Sequence, residues 1–151
     1  MYENIYDHLM TKEAALPFSL PEWIALAPFE EYLSMRIKET ANGSAVLDMP
    51  FRAAHCQGMG LMHGGAVTAL ADTALAIAIK TTLPEGTHFA TIEMTLTFQA
   101  PVRWGTVTAL AQVTEKSDRD ITGKVEVVTE EGITAAVFRA VFRIRRKRSD
   151  S

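Results

Sequence analysis

The sequence predicts an α+β fold in which a mostly antiparallel sheet packs against one long helix. Three features of the chain lead to this prediction. Strand-like patterns lie both before and after a single long helical segment, Gly64 to Lys80. Helices and strands therefore do not alternate along the chain, as they do in a doubly wound parallel sheet. The helical segment is also apolar on nearly every side, which indicates that it is buried.

Two strands are predicted before the helix. From Glu31 onward apolar and polar residues alternate over YLSMRIKE, as in a half-buried strand. Asn42-Gly43 is a strong hairpin signal, and a second strand, SAVLDMPF, ends at Pro50 or just after it. The next segment, RAAHCQGMGLM, has two glycines and no clear period, so it predicts a loop.

Only strands are predicted after the helix. The segment TTLPEGTH holds a proline and a glycine and is predicted as a loop. The stretches FATIEMTLTFQA, TVTALAQVTEKS, TGKVEVVTE and ITAAVFRAVFRIR follow, with the alternation and β-branched residues typical of strands. Turns separate them at PVRWG, at Asp118 to Asp120 and at Glu131-Gly132. We therefore expect three or four strands in this half of the chain.

The length and charge of the chain suit one small domain that does not bind nucleic acid. The chain has 151 residues and a net charge of -3. Its one cysteine, Cys56, excludes an intrachain disulfide and suits a reducing compartment. The N-terminus lacks the pattern of a signal peptide, and no uncharged apolar run approaches the roughly 20 residues of a membrane span. We therefore expect a cytoplasmic protein with no membrane or nucleic-acid partner.

The chain is predicted to divide into a helical N-terminal extension over residues 1–30 and a domain over residues 31–151. Residues Met1 to Leu16 carry apolar side chains at helical spacing. Two prolines then interrupt the chain, and Trp23 to Phe29 is predicted as a short apolar turn or helix that ends near Pro28. The extension shows no chemistry, so we expect it to pack on a neighbouring element or on a partner subunit.

The composition of the long helix predicts an oligomer. In a small domain one sheet face can cover only part of a helix that is apolar all round. The sheet of a second subunit could cover the remainder, so burial alone predicts at least a dimer.

Asp72 is the one acid in the middle of this apolar helix. An ionised carboxylate among apolar groups is costly unless it is hydrogen-bonded or paired. Asp72 could therefore lie on an exposed stripe with Thr68, or bond a nearby strand as a structural group. Alternatively, desolvation would raise its pKa and make it a general base or a nucleophile in a cleft.

Gly64 and Gly65 stand at the predicted start of the helix. Backbone N–H groups there are unpaired and carry the positive end of the helix dipole, so they could polarise a carbonyl as an oxyanion hole does. At roughly 1.5 Å of rise per residue, Asp72 lies about 12 Å further along the same helix. That distance is too long for one reacting centre. Either one of the groups is not catalytic, or the acid of one subunit meets the helix start of another.

The residues around the helix start resemble a known family. The pattern QGMGLMHGG followed by LADTA is similar to that of hotdog-fold acyl-CoA thioesterases, especially the PaaI-like and 4-hydroxybenzoyl-CoA thioesterase group. The resemblance covers about residues 31 to 146, and the order of predicted elements also matches a hotdog. The matching positions are Gln57, Gly60, His63, Gly64, Gly65 and Asp72.

The resemblance implies a role for each matching residue. Asp72 would be the nucleophile or general base, and the Gly64 N–H, with Gly65 as a substrate-binding neighbour, would polarise the thioester carbonyl. Gln57 would position the carbonyl or the attacking water. His63 would orient the loop or hydrogen-bond near the thioester, and Thr91 would hold the attacking water.

The resemblance also implies that the active site lies between subunits, in a homodimer or a dimer of dimers such as a homotetramer. Water and Asp72 suffice for hydrolysis, so no cofactor or metal is expected. Many PaaI-like members have Asn where this chain has Gln57, which leaves the sub-branch and the acyl group open. The alternative functions are a hotdog 3-hydroxyacyl thioester dehydratase or hydratase, and a non-catalytic acyl-CoA-binding protein.

Other chemically active residues give weaker signals. His55 and Cys56 are adjacent, which does not supply the geometry of a nucleophile pair. The spacing of His55, His63 and Asp72 resembles no zinc motif.

Basic residues near the C-terminal end and in one turn could contact CoA phosphates. Arg103, in the PVRWG turn, is a candidate for substrate binding, and Trp104 beside it could be core or pocket rim. The C-terminal run could equally be a solvated strand end and tail. It consists of Arg143, Arg145, Arg146, Lys147 and Arg148.

Overall fold

The computed structural model describes residues 16–145 and confirms the α+β architecture. Its helices are α1 (Pro28–Tyr32) and α2 (Gly64–Lys80), with a short 3-10 turn at Ala53–His55. Its strands are β1 (Arg36–Ala41), β2 (Ser44–Pro50), β3 (Phe89–Phe98), β4 (Thr106–Lys116), β5 (Asp120–Val128) and β6 (Thr134–Ile144).

The six strands form one antiparallel sheet in the order β1-β2-β4-β5-β6-β3. The hairpin predicted at Asn42-Gly43 is confirmed, since Ala41 pairs with Ser44 across it and Gly43 takes a φ of +80°. The order of strands places β3 at one edge, where it pairs only with β6 among the described residues.

Helix α2 packs on one face of the sheet and supplies much of the core. Leu70, Leu75, Ile77 and Ile79 are almost completely buried there, against strands β2, β4 and β5. Gly123 on β5 lies directly beneath the side chain of Leu75, where any added Cβ would collide with it. Glycine at position 123 therefore leaves room for a helix side chain to approach the backbone of the sheet closely.

The sheet covers only one side of α2. Ala69, Asp72, Thr73 and Ala76 lie on the opposite side at helical spacing and remain half-buried. The helix is therefore not buried on every side within one chain. A second subunit that covers this stripe stays a prediction.

The N-terminal part differs from the sequence prediction. A short apolar turn or helix was predicted to end near Pro28, but α1 begins there, with proline in its first turn and two acids beside the positive end of the helix. The strand predicted from Glu31 begins only at Arg36, because the chain first closes α1 through Ser34, which has a φ of +62°. The local helix-start chemistry outweighs the alternating pattern that predicted a strand.

Residues 16–27 contain no helix, and Trp23 among them contacts the end of α2. The indole N–H of Trp23 donates to the backbone oxygen of Lys80, and the Lys80 ammonium donates back to the backbone oxygen of Trp23, both at 3.0 Å. The ammonium also lies 4.8 Å from the centre of the Trp23 ring. The helix predicted over Met1 to Leu16 falls almost wholly outside the described residues, so the extension and its boundary stay predictions. No helix within residues 16–145 is long and apolar enough to cross a membrane.

Candidate active site

Asp72 faces the edge strand of the sheet. Its carboxylate oxygen Oδ1 accepts a 2.8 Å hydrogen bond from the hydroxyl of Thr91 on β3. The side chain is half-buried, halfway along α2. The sequence left open whether Asp72 would lie on an exposed stripe or bond a nearby strand, and the structure shows the bond to a strand.

The surroundings of Asp72 change its acidity. Burial raises the pKa of the carboxyl group above its ordinary value, and the hydrogen bond from Thr91 opposes this rise only in part. A carboxylate with a raised pKa is a stronger base than an exposed aspartate. Asp72 is therefore suited to remove a proton from a nearby group.

The start of α2 is capped by His63. Its ring nitrogen Nδ1 accepts a 2.7 Å hydrogen bond from the backbone N–H of Gly65. This bond occupies the Gly65 donor, which the resemblance had placed beside the substrate. The backbone N–H of Gly64 has no acceptor among residues 16–145, and Gly64 is half-buried. Gly64 is therefore the donor that the helix start offers to a ligand, at the positive end of its dipole.

The ring of Phe98 touches the helix start. A Cβ placed on Gly64 would lie 2.9 Å from Cζ of Phe98, closer than side chains ordinarily approach. Glycine at position 64 thus leaves room for an aromatic ring from β3. No local pattern in the sequence signals this contact, because Phe98 is 34 positions away and belongs to a different element.

Gln57 organises the loop in front of the helix. Cys56 and Met62 form a single β-bridge, and the backbone N–H of Gln57 donates to the Leu61 oxygen at 2.8 Å. The side-chain oxygen Oε1 of Gln57 accepts from the backbone N–H groups of Met59 and Leu61. Because both partners are donors, the amide NH₂ group of Gln57 remains to donate to a ligand.

An apolar cleft of about 420 Å³ opens beside Gln57 and Gly64. Two glutamines, Gln57 and Gln99, supply its polar side chains. The rest of its wall consists of Leu61, Met62, Gly64, Val67, Phe98, Ala100, Pro101, Val102 and Ala135. Such a cavity suits a ligand that is mostly apolar and has a few polar atoms to be oriented.

Asp72 does not line this cleft. The two halves of the candidate site therefore lie apart within one chain, as the helical rise predicts. Strand β3 contacts both halves, since Thr91 bonds Asp72 and Phe98 covers Gly64.

The remaining candidate residues form no second reactive site within residues 16–145. His55 is buried, and its Nδ1 lies 3.0 Å from the Pro50 oxygen, so it ties the end of β2 to the loop. The Cys56 thiol contacts backbone oxygens of Arg52 and Gly60. In the same part of the chain no three His, Cys, Asp or Glu side chains are grouped as metal ligands.

The basic candidates separate into two places. Arg103 lies in the turn before β4 and lines a second, smaller cavity together with Trp104. Arg143 pairs with Asp120 across β5 and β6 at 2.9 Å, far along the sheet from the PVRWG turn. Arg146, Lys147 and Arg148 fall outside the described residues.

Several known proteins are similar to this chain. A presumed esterase of Halobacterium salinarum is 29% identical over 126 residues, which cover 76% of this chain and 83% of that protein. A variant of the phenylacetic acid degradation protein PaaI from Thermus thermophilus is 34% identical and covers 78% of this chain and 98% of that chain, with a TM-score of 0.71. The Escherichia coli PaaI protein from the phenylacetic acid degradation operon is 29% identical and covers 78% of this chain and 84% of that chain, with a TM-score of 0.72.

The six-stranded antiparallel sheet, the single long helix and the glycine-rich helix start together define a hotdog-fold protein. Residues 59–136, just over half of the chain, match the thioesterase superfamily. The chain belongs to this family, and the PaaI-like resemblance of its motif is confirmed.

Proposed function

We propose that the protein hydrolyses an acyl-CoA thioester to a free acid and CoA, in a site formed between two subunits. The observation that carries this proposal is the state of Asp72. It is a half-buried carboxylate with a raised pKa, bound through one oxygen to Thr91. Membership of the thioesterase superfamily supports thioester hydrolysis in general. The motif resemblance supports CoA as the thiol.

The free edge of β3 supports a two-fold dimer. The strand is ten residues long, and its Ile92, Met94 and Phe98 are exposed apolar side chains. A long exposed edge with apolar side chains is a template for pairing with another strand. The β3 strand of a second copy has the same edge, so the two can pair antiparallel about a two-fold axis.

This pairing would unite the two halves of the site. A two-fold axis reverses strand direction, so the Thr91 end of one β3 would lie beside the Phe98 end of the other. Asp72 lies beside the Thr91 end of β3, and Gly64 lies beside the Phe98 end. Asp72 of one subunit would then approach Gly64 of the partner subunit, and the second copy would also cover the half-buried stripe on α2.

The proposed reaction begins with the thioester oxygen at the N–H of Gly64. The amide NH₂ group of Gln57 orients the carbonyl or the water. Asp72 from the other subunit then removes a proton from water, and the hydroxide adds to the carbonyl carbon. The tetrahedral oxyanion is held by the Gly64 N–H. Its collapse breaks the carbon–sulfur bond, and the proton on Asp72 passes to the departing CoA thiolate.

Asp72 could instead attack the carbonyl carbon itself. The carbon–sulfur bond would break to give a mixed anhydride and CoA thiolate, and water would then release the acid. Both routes use the same residues and give the same products. The bond from Thr91 favours neither, because it engages only one of the two carboxylate oxygens.

A thiol-release assay over aromatic, short, medium and long acyl-CoA substrates tests the proposed function. We expect release of one thiol per acid formed with at least one acyl class. Formation of an enoyl chromophore from 3-hydroxyacyl-CoA without thiol release would instead identify a dehydratase. Tight binding of acyl-CoA with no turnover across all classes would identify a binding protein.

A further inference from the structure

We propose that the turn before β4 and the facing turn before β6 form a subsite for the adenine base of CoA, with Trp104 as its stacking surface. This inference rests on the proposed function, because it names where one end of the substrate binds. The two turns are residues 101–105 and residues 129–133, and we call their shared cavity the outer cavity.

The outer cavity adjoins the apolar cleft. It has a volume of about 220 Å³ and is lined by Arg103, Trp104, Ile133 and the two acids Glu130 and Glu131, among others. Ala100 and Pro101 line both cavities, so they form the ridge between them. A substrate whose thioester lies at Gly64 could therefore cross this ridge and place its far end in the outer cavity.

Two large apolar side chains line the outer cavity from opposite turns. Trp104 is 52% exposed and Ile133 is 50% exposed. The indole N–H of Trp104 has no hydrogen-bond acceptor in the part of the chain that the structure describes, so it remains to donate to a ligand. An exposed, flat indole beside an aliphatic side chain provides a stacking surface for a planar base.

Glu130 places a carboxylate beside this surface. Its Oε2 would lie only 2.6 Å from a Cβ on Gly105, which takes a φ of +77°. Glycine at position 105 therefore lets the Glu130 side chain fold against the turn. A carboxylate accepts hydrogen bonds from the exocyclic amine of adenine but repels phosphate, so it favours the base over the phosphate end at this point.

Arg103 supplies the complementary charge. Its side chain is exposed and takes part in none of the ion pairs among residues 16–145. Guanidinium groups bind phosphate oxygens through paired N–H donors. The outer cavity thus combines an aromatic surface and carboxylates for the base with a guanidinium for a phosphate.

The test compares acyl-CoA with the acyl-pantetheine thioester of the same acid, which lacks the nucleotide. In Trp104→Ala, kcat/KM for acyl-CoA should fall about five- to one-hundred-fold relative to that for acyl-pantetheine, the range expected for loss of one stacked base. Trp104→Phe should retain part of the preference. Leu110→Ala removes a similarly exposed apolar side chain on β4 and should leave the ratio as in the wild type. An unchanged ratio in Trp104→Ala would overturn the proposal.

Binding of adenosine 3′,5′-bisphosphate tests the subsite without any turnover. The nucleotide should quench the fluorescence of Trp104 in the wild type, and this quenching should disappear in Trp104→Phe, where Trp23 alone emits. Arg103→Ala should weaken the binding at least five-fold. If the nucleotide binds in this way but no thioester is hydrolysed, the proposed function fails and the subsite stands. If thioesters are hydrolysed but the nucleotide neither binds nor quenches, the subsite fails alone.

Discussion

The hydroxyl of Thr91 donates a 2.8 Å hydrogen bond to the carboxylate of Asp72, across 19 positions of sequence and from the edge strand to the central helix. This bond holds one carboxylate oxygen and fixes the direction of the other. It also counteracts part of the rise in pKa that burial causes. Thr91 therefore affects the proposed base in two ways: it fixes the position of the Asp72 carboxylate, and it lowers the pKa of that carboxylate.

Asp72→Asn should abolish most turnover while the protein remains folded. An amide cannot take up the proton of water, and loss of a general base typically lowers turnover by about 10²–10⁴-fold. The amide also removes a carboxylate that is costly to desolvate, so the melting temperature near neutral pH should be equal or higher. Thiol release and thermal unfolding together measure the two effects.

The matched control is Asp118→Asn, which changes an exposed acid in the β4–β5 turn. Wild-type turnover in Asp72→Asn would exclude this residue as base or nucleophile.

The pH profile should report the raised pKa of Asp72. If the carboxylate is the base, kcat/KM rises with pH as Asp72 loses its proton, and the midpoint of this acid limb lies above the ordinary pKa of aspartate. Thr91→Val removes the bond that lowers the pKa, so the limb should move to higher pH, whereas Thr91→Ser should stay near the wild type. A limb that Thr91→Val leaves in place would show that another group controls the rate.

The raised pKa of Asp72 should also make stability depend on pH, but in the opposite direction to activity: activity rises with pH, whereas the contribution to stability falls. Folded Asp72 binds its proton more tightly than the unfolded chain does, so its contribution to the free energy of unfolding is present at low pH. That contribution is lost as pH rises through the raised pKa. Because the amide of Asp72→Asn does not titrate, the variant should become more stable relative to the wild type as pH rises through the raised pKa. Urea unfolding at several pH values would measure this difference in unfolding free energy.

His63 should matter first as a helix cap. His63→Ala removes the acceptor for the Gly65 N–H and should lower the free energy of unfolding by about 1 kcal/mol. His63→Asn offers a side-chain oxygen as acceptor in place of the ring nitrogen and should restore most of that stability. Turnover then separates two roles. Recovery of turnover in His63→Asn would assign His63 to orienting the helix start, and continued loss despite restored stability would show that the imidazole itself acts on the substrate.

Much of the fold could be predicted from local patterns. The helix Gly64–Lys80 has the predicted bounds, because the segment from Ala66 to Lys80 contains no glycine or proline that would interrupt a helix. The hairpin at Asn42-Gly43 follows from turn chemistry that requires no distant partner. Helix α1 was missed because five residues are too few to show a period, and the alternation that follows them predicted a strand instead.

The site was predictable only where its parts lie close in sequence. Asp72 stood out because a charge in an apolar helix needs a physical reason, and Gly64 stood out because helix starts carry free N–H groups. The Gly65 donor proved to be occupied by His63, a residue type that helix-cap preferences do not favour. The contact between Phe98 and Gly64 depends on how β3 crosses the helix, which no local pattern contains.

Gly64→Ala should lower turnover through the contact with Phe98. The added Cβ would lie 2.9 Å from the ring, so the ring or the helix start must move. A displacement of this kind at an oxyanion donor should cost about ten- to one-hundred-fold in kcat/KM. The double variant Gly64→Ala with Phe98→Leu should recover part of the loss, which would show that the two residues are coupled. Gly58→Ala is the matched control, because nothing lies within 4 Å of its added Cβ.

Mixing two inactive variants should restore activity if the site lies between subunits. Asp72→Ala removes the proposed base, and Gly64→Val closes the helix start with a side chain that Phe98 leaves no room for. In a heterodimer of the two, one site carries both defects and the other site carries neither. With random pairing, half of the dimers are heterodimers with one intact site of two, so co-expression should return about a quarter of wild-type turnover.

The control for this restoration is Met94→Lys, which places a charge on the exposed edge of β3. It should lower both the dimer fraction in sedimentation and the turnover, because the proposed pairing would bring two such charges close together. Introduced into both inactive variants, it should also abolish their mutual rescue. Activity that stays absent in stable heterodimers of the two variants would mean that Asp72 of one subunit does not act together with Gly64 of the other, since one such pair is intact in every heterodimer.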